Sequence, residues 1–538
     1  MTRHAARQIS MTTEVNTGGS PDDLPPLSTR RCLVEVLLIV MVFFIATGDV
    51  APNVNESHYL CRLKHYWDPE WCKGDLFLDS SDTQVLFIWM FGWVTRFVSL
   101  TATAWIGRVL AWSLLAWSWQ RLSWRLVPRP LASVLSAALF VALNLQLHLA
   151  GEWVVGGVEA KCFAYAFVLM AIREVMDGRW NWEWGLLGAA TAFHPIVGGW
   201  SGLICVGIWL LDSRRERLPL TMMPGFAAGA MIALVGILPA LALTWHVPAD
   251  VVDESSQLYV FDRLPHHLAP LTLPQEELTR RVAGHALLLG AFLVLSLVTR
   301  ATGSASASLR VVTRFAWGAV LLAVIGFSIE IAFKDHPSLA AKLLRYYWFR
   351  MTDFGAAMAV ALQLTSLIAE EIRRRRAWAG PLLVITLALV GWFYSYTAWT
   401  RYENRMAPAD RKAADFENWV EVCDWVAANT PPNSLFITPR LNLSFKWRTG
   451  RPEVANRKDI PQDAPGIVEW HRRLKEIFTI EFGGQEQSVD SVGPLGTERV
   501  LELARKYHAA YVLSDRQQLL ELPVAYQNDE YVVYRIEN

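Results

Sequence analysis

Apolar stretches long enough to cross a bilayer recur along this chain, and most are closed by a cluster of arginines. A helix needs about 20 apolar residues to span roughly 30 Å of hydrocarbon. The stretches that meet or approach this length are 32–48, 106–127, 131–150, 161–176, 184–201, 202–212, 222–245, 282–299, 311–333, 351–371 and 378–399. With 53% hydrophobic residues and 25 tryptophans in 538 positions, the chain is not a soluble globule. The expectation is an α-helical multi-pass membrane protein. The stretch 85–104 is the exception: VLFIWMFGWV is interrupted by Arg96 and is short for a span.

Charge parity orders the spans. The 50 basic and 50 acidic residues cancel, but they are sorted along the chain. If 85–104 lies flat on the membrane surface, Arg30/Arg31, Arg121/Arg125/Arg129, Arg173/Arg179, Arg214/Arg215/Arg217, Arg300/Arg310/Arg314 and Arg373–Arg376 share one side. That satisfies the positive-inside rule at every turn. The reading is about eleven spans with a cytoplasmic N-terminus and an extracytoplasmic C-terminus. Residues 1–31 form a polar, disordered tail, and 32–48 is a retained anchor rather than a cleaved signal peptide. Residues 32–400 are the membrane domain, with an outer loop at 49–84, and 401–538 form a separate outer domain.

The outer loop is dense in chemistry. It carries Asp49, Glu56, Asp68, Glu70, Asp75, Asp79 and Asp82 with two histidines and two cysteines. A carboxylate beside an apolar surface has a raised pKa and can act as a general base. Asp49 and Glu56 are the candidates; Asp79 and Asp82 read as solvated acids. In an oxidising outer compartment Cys61 and Cys72 form a disulfide or stand as two unrelated thiols. Cys32, Cys162 and Cys205 lie in apolar stretches and read as packing residues.

Three further clusters share the outer face under this topology. GEWVVGGVEAK sets Glu152, Glu159 and Lys161 around glycines at a span junction, with Glu159 and Lys161 near membrane depth, where ionisable groups are costly and often functional; a tight glycine turn is the structural alternative. His194-Pro195 lies late in a span, where proline frees a backbone carbonyl and kinks the helix, with His194 as a buried hydrogen-bonded histidine or a ligand-facing one. In KDHPSLAAKLLRYYWFR, Arg345 and Arg350 flank an aromatic run. Arginine suits phosphate, and an interfacial aromatic belt is the alternative.

The tail changes character after Thr400. Residues 415–429 have helical spacing, LFITP is a short strand, 498–507 is a helix, and AAYVLSD and EYVVYRI are strands, giving a small α/β domain. The segment 440–473, with Lys446, Arg448, Arg451, Arg457, Lys458, Arg472 and Arg473, is a solvated basic face or an anion-binding one. No nucleotide-binding or metalloprotease motif occurs in the domain.

The layout resembles the GT-C superfamily of membrane glycosyltransferases, which includes oligosaccharyltransferases and protein O-mannosyltransferases. The shared features are the long acidic loop after an N-in first span, the surface helix, about ten more spans and a soluble outer domain. NESHYL is similar to the Asp-Glu-x-x-Tyr type of loop motif, and WVEVCDWVAANTPPNSLFITP to the opening of such outer domains. The resemblance implies Glu56 as catalytic acid, with Asn55 where many members have a second acid. It also implies Arg345 or Arg350 as the residue holding a lipid-linked phosphate. Asp49 would assist Glu56, and Glu159, Lys161 and His194 would line the substrate site.

The expected function is transfer of a sugar from a polyprenyl-phosphate donor to a glycan, lipid or protein acceptor, at the outer face of the plasma membrane. No cofactor is named, a divalent metal ion stays open, and the partners are membrane lipid, donor and acceptor, with no nucleic acid. The alternatives are a transporter or lipid flippase, disfavoured by few mid-span charges and no internal repeat, and a non-catalytic scaffold.

Overall fold

The computed structural model describes residues 28–211 and 219–537. Most of the expected disordered tail and the Arg214–Arg217 cluster lie outside the described residues. Helix α1 (Thr29–Thr47) starts at Ser28, whose hydroxyl accepts the Arg31 N–H. The following loop carries α2 (Glu56–Trp67) and α3 (Val85–Phe91), which continues as a 3₁₀ turn to Arg96. Then come α4 (Leu100–Leu126), α5 (Ala132–Gln146), α6 (Ala160–Met176), α7 (Trp180–Phe193), α8 (Pro195–Leu210) and α9 (Met223–Ala242). Short α10 (Ala249–Gln257) and α11 (Pro265–Leu268) precede α12 (Gln275–Ala301) and α13 (Ala307–Ala332). The bundle closes with α14 (Pro337–Leu344), α15 (Arg350–Arg373) and α16 (Ala379–Glu403).

Among the described residues five helices, α9, α12, α13, α15 and α16, are long and apolar enough to cross a membrane. The most apolar stretch of α15 is 94% buried, whereas those of α9 and α16 are 17% and 6% buried. Helix α15 is therefore the central post, and α9 and α16 present apolar side chains outward, as lipid-facing helices do. Helices α5 and α8 are shorter and apolar.

Two boundaries differ from expectation. The surface helix ends at Arg96, and residues 100–104 already belong to α4, because Ser99 caps that helix by accepting the Ala102 N–H. The stretches 184–201 and 202–212 are instead α7 and α8, which meet at His194. Pro195 is the first residue of α8, where its missing N–H is harmless, so it starts a helix rather than kinking one. Buried helix charges are also more numerous than expected: Glu35 and Arg108 lie mid-helix, and Glu183 lies in the first turn of α7. Glu35 accepts from Gln120, the Leu131 N–H and Ser133, at 2.7–3.1 Å, and ties α1 to α4 and α5.

The C-terminal domain begins with α17 (Phe416–Asn429), β1 (Phe436–Ile437) and α18 (Phe445–Thr449). Helix α19 (Ala464–Phe478) and the hairpin β2 (Thr479–Phe482) and β3 (Gln485–Ser488) follow. Then come α20 (Thr497–Tyr507), β4 (Tyr511–Asp515), β5 (Val524–Gln527) and β6 (Tyr531–Arg535). The main sheet has the order β1-β4-β6-β5, parallel between β1 and β4 and otherwise antiparallel. Its α/β character is as expected; α19 and the hairpin are additional.

Candidate functional site

The turn between α5 and α6 (147–159) is shaped from below. The Asp353 carboxylate, on α15, accepts the N–H groups of Leu149 (2.6 Å), Ala150 (3.0 Å) and Glu152 (3.1 Å). Asn144 donates to the Glu152 and Asp353 carbonyls and accepts the Val154 N–H. Gly151 has a φ of +70°, open to glycine at little strain. Gly157 is required by contact: a Cβ there would lie 2.9 Å from Glu56 Oε1 and 2.8 Å from Asn53 Cβ.

This turn projects Glu152 and Glu159, and α6 adds Lys161. Lys161 Nζ is 3.6 Å from both carboxylates and 3.8 Å from the centre of the Trp153 ring. Glu152 also accepts from the Tyr165 hydroxyl at 3.1 Å. Arg350 Nε is 3.1 Å from Glu152 Oε2 but is not aligned to it as a hydrogen bond, so this buried N–H has no acceptor. Arg350 donates through Nη1 to His194 Nε2 at 2.9 Å and stacks over Tyr347. The Tyr347 hydroxyl meets that of Tyr259 at 2.7 Å.

Three residues not among the expected site residues, Asn55, Arg263 and Lys458, complete the cluster. Asn55 donates to Glu159 Oε1 at 2.5 Å and accepts from Lys458 Nζ at 2.5 Å, joining the loop, the turn and the C-terminal domain. Arg263 donates to the Lys458 carbonyl at 3.2 Å, and its own Nε is buried without a partner. Among the described residues neither Arg263 nor Lys458 has a carboxylate within ion-pair distance. Burial lowers the Lys458 amine to about 8, with Arg263 adding to the effect. Burial raises the Glu159 carboxyl above its ordinary value, while Lys161 and Asn55 pull the other way.

Of the expected residues, Glu159, Lys161, His194 and Arg350 come together; Glu56, Asp49 and Arg345 do not join them. Glu56 is 0% exposed and saturated. Arg108 grips both its oxygens at 2.7 and 2.6 Å, and the Asn53 and Val158 N–H groups donate at 2.8 and 2.9 Å. Such a carboxylate has no lone pair left for a substrate proton. Asp49 faces Arg411 and Arg401, at 3.3 and 3.7 Å. Arg345 donates to Ser256 on α10.

Of the two alternatives for Cys61 and Cys72, the structure has the second: both are buried free thiols. Burial pushes both thiols up, so neither is a ready thiolate.

The basic segment 440–473 is neither a solvated face nor one binding surface, because almost every cation in it is consumed internally. Lys446 is buried among Asp459 (2.6 Å), Asp75 (3.1 Å) and Glu453 (3.2 Å), and Asp459 also bonds His58 at 2.8 Å. Arg448 pairs with Asp410, Arg457 with Asp262, and Arg472 and Arg473 with Glu469, while Arg451 binds backbone carbonyls. Lys458 is the cation this economy leaves over. The Lys446 cluster is the joint that docks the C-terminal domain on α2.

No group of three or more His, Cys, Asp or Glu side chains is set to hold a metal ion among the described residues. The place between Glu152 and Glu159 where a divalent cation would bridge is filled by the Lys161 ammonium. The cluster therefore does not fit a metal.

Comparisons with known proteins add the following. A family model described as a domain of unknown function (DUF6798) matches residues 417–477, which include Lys446, Lys458 and Asp459. No curated protein matches the chain. Among solved structures the chain is similar to ArnT from Cupriavidus metallidurans bound to undecaprenyl phosphate, at 13% identity and a TM-score of 0.49, over 94% of this chain and 97% of that one. The apo state of the same ArnT gives 13% identity and a TM-score of 0.37 over the same shares. Likeness at that level assigns no role to any residue, so the site stands on the contacts above.

Proposed function

We propose that this chain is a GT-C-type integral membrane glycosyltransferase, transferring a sugar from a polyprenyl-phosphate-linked donor to an acceptor hydroxyl. The carrying observation is one buried carboxylate, Glu159, held by Asn55 and Lys161 beside Arg350, Lys458 and Arg263. A carboxylate of raised pKa next to buried cations is what a base and an anionic leaving group require together. The apolar flanks of the bundle suit a prenyl chain, and the arginine parity of the sequence supports an extracytoplasmic position for the cluster at the plasma membrane.

In this reading Glu159 takes the proton of the acceptor hydroxyl as its oxygen forms a bond to the sugar C1. The bond from C1 to the phosphate oxygen breaks, and its electron pair leaves with the prenyl phosphate. Arg350 and Lys161 stabilise that charge as it develops. Arg350 has a free N–H for a phosphate oxygen. Glu56 is a positioning residue that fixes the Val158 N–H and so the turn bearing Glu159.

The test is transfer of radiolabelled sugar from synthetic polyprenyl-phosphate donors in membranes. Glu159→Gln is expected to accumulate normally and lose transfer, and Arg350→Gln to raise KM for the donor. Full activity of Glu159→Gln would sink the assignment of the base.

A further inference from the structure

A second cavity, sharing no residue with the Glu159 cluster, lies where the C-terminal domain meets α2 and the start of α4. Its volume is about 370 Å³. Lys64 and Trp71 line it from the acidic loop, Ser99 to Thr101 from the head of α4, and Trp447 to Arg451 from the end of α18. The two sides meet closely. Gly450 has a φ of +63°, and a Cβ on it would lie 3.0 Å from Trp71 Nε1. Lys64 Nζ sits 4.6 Å from the centre of the Trp71 ring, and Trp447 packs against the core of the helical bundle.

This lining offers donors without acceptors. Among the described residues Lys64 has no carboxylate within ion-pair distance, and neither the Trp71 nor the Trp447 indole N–H meets an acceptor. No lining side chain is acidic. The acids around the cavity are engaged elsewhere or stand in water. Asp410 holds Arg448 at 2.6 Å and also Ser444, Glu70 holds Lys73 at 3.0 Å, and Asp75 holds Lys446 at 3.1 Å. Asp68, one turn beyond Lys64, and Asp424 are both exposed, where solvent screens them. Arg451 spends its own N–H groups on the Thr449, Ala427 and Thr430 carbonyls. One ammonium and two indole N–H groups are left, a set that matches the anionic oxygens of a phosphate group.

The surroundings identify the bearer of that phosphate. Tyr66, Trp89, Met90, Trp93 and Phe97 are 48–77% exposed, and the chain runs from Phe97 straight into Ser99 and Leu100 of the cavity wall. Aromatic side chains gathered in this way sit at the level of lipid headgroups. A phosphate site adjoining such a belt suits a molecule whose charged head and apolar tails are joined.

We propose that this cavity is a phospholipid headgroup site, with Lys64 and the two indole N–H groups on the phosphate and the acyl chains along Trp93 and Phe97. Its walls come from both domains, so a bound headgroup holds the C-terminal domain against the bundle. The site is independent of the transfer reaction and of the roles given to Glu159 and Arg350.

The experiment is native mass spectrometry and thermal melting of the delipidated full-length protein in detergent. The probes are dioleoyl phosphatidylglycerol, dioleoylglycerol and glycerol 3-phosphate. One phosphatidylglycerol should bind about tenfold tighter than dioleoylglycerol or more, and raise the melting temperature by a few degrees. Lys64→Gln should weaken it by about tenfold, and so should Trp447→Phe, which keeps an aromatic ring and loses the N–H. Lys64→Arg should hold affinity within about twofold. Lys334→Gln, which removes an exposed cation elsewhere, should leave binding unchanged. Equal binding of dioleoylglycerol takes the phosphate out of the site, and equally tight glycerol 3-phosphate takes the lipid out of it. A loss in Lys334→Gln as large as that in Lys64→Gln reduces the effect to diffuse surface charge. Each of these results overturns the proposal, as does undiminished binding by folded Lys64→Gln and Trp447→Phe proteins.

Discussion

Glu56 and Glu159 are separated by little more than the Val158 peptide, and both are almost fully buried, yet their surroundings differ in kind. Glu56 receives four hydrogen bonds from Arg108, Asn53 and Val158. Glu159 receives one short bond from Asn55 and a looser ion pair from Lys161, with Lys458 on the far side of Asn55. A saturated acid with its own arginine holds structure. An under-coordinated acid beside cations that have no carboxylate of their own is what the proposed transfer would use to exchange a proton. The acidic loop thus supplies Glu56 of the clamp and Asn55, α4 supplies Arg108, and the glycine turn supplies the proposed base.

The largest effect that can break this contrast is on the clamp. Arg108→Met leaves Glu56 as a buried, uncompensated charge, which should destabilise the protein by about 3–5 kcal/mol. The expected outcome is little folded protein on detergent size exclusion. Glu56→Leu combined with Arg108→Met should recover much of it, because both charges then leave together. Recovery of activity with the double variant is not expected beyond a fraction, since the Val158 N–H loses its acceptor.

Next is the reactive acid. Glu159→Gln should cut kcat by about 10²–10⁴, the range for losing a general base, while moving the melting temperature by only a few degrees. If Glu56→Gln gave the catalytic loss and Glu159→Gln the unfolding, the two roles would be exchanged.

A smaller effect concerns pH. The Lys458 ammonium, lowered to about 8, must be charged to serve. Transfer should therefore fall as pH rises through about 8. On the acid side activity should rise with pH as Glu159 ionises, in a range above that of an ordinary carboxylate. Lys458→Arg should push the alkaline limb upward; an unmoved limb would remove Lys458 from the site.

How much of this could be read in the sequence follows from range. The apolar helices and the α/β tail announce themselves locally, through length and periodicity. The turn was visible in its glycines and Arg350 in its aromatic setting. The clamp was not, because Arg108 and Glu56 are 52 positions apart and Arg108 looks like one charge in an apolar run. Lys458 meets Asn55 across 403 positions, and it was one of many basic residues until the structure paired off the others. His194-Pro195 misled for a different reason: the same dipeptide kinks a helix or starts one, and only the α7–α8 boundary decides.

The domain joint is the subtlest comparison, because it is closed like the clamp yet unbalanced in charge. Burial, with Asp459 and Asp75 nearby, raises Glu453 from 4.5 to about 7, although Lys446 opposes it. Burial lowers His58 from 6.5 to about 4, against the pull of Asp459. The folded state thus holds Glu453's proton more tightly than the unfolded chain does, and stability from this group is lost as pH rises through about 7. His58 acts in the opposite sense: its contribution is present above 6.5 and lost as pH falls through about 4. Between 4.5 and 6.5 the two trends offset, so the wild-type stability profile should be nearly flat there and decline slightly toward 7. His58→Gln should expose a steady decline from 4.5 to 7, and Glu453→Gln a rise up to 6.5 with no decline after it, both read from chemical denaturation across pH. Identical profiles for the two variants would mean that Lys446 and its three acids titrate as one unit, and the joint would then be closed in the same sense as the Glu56 clamp.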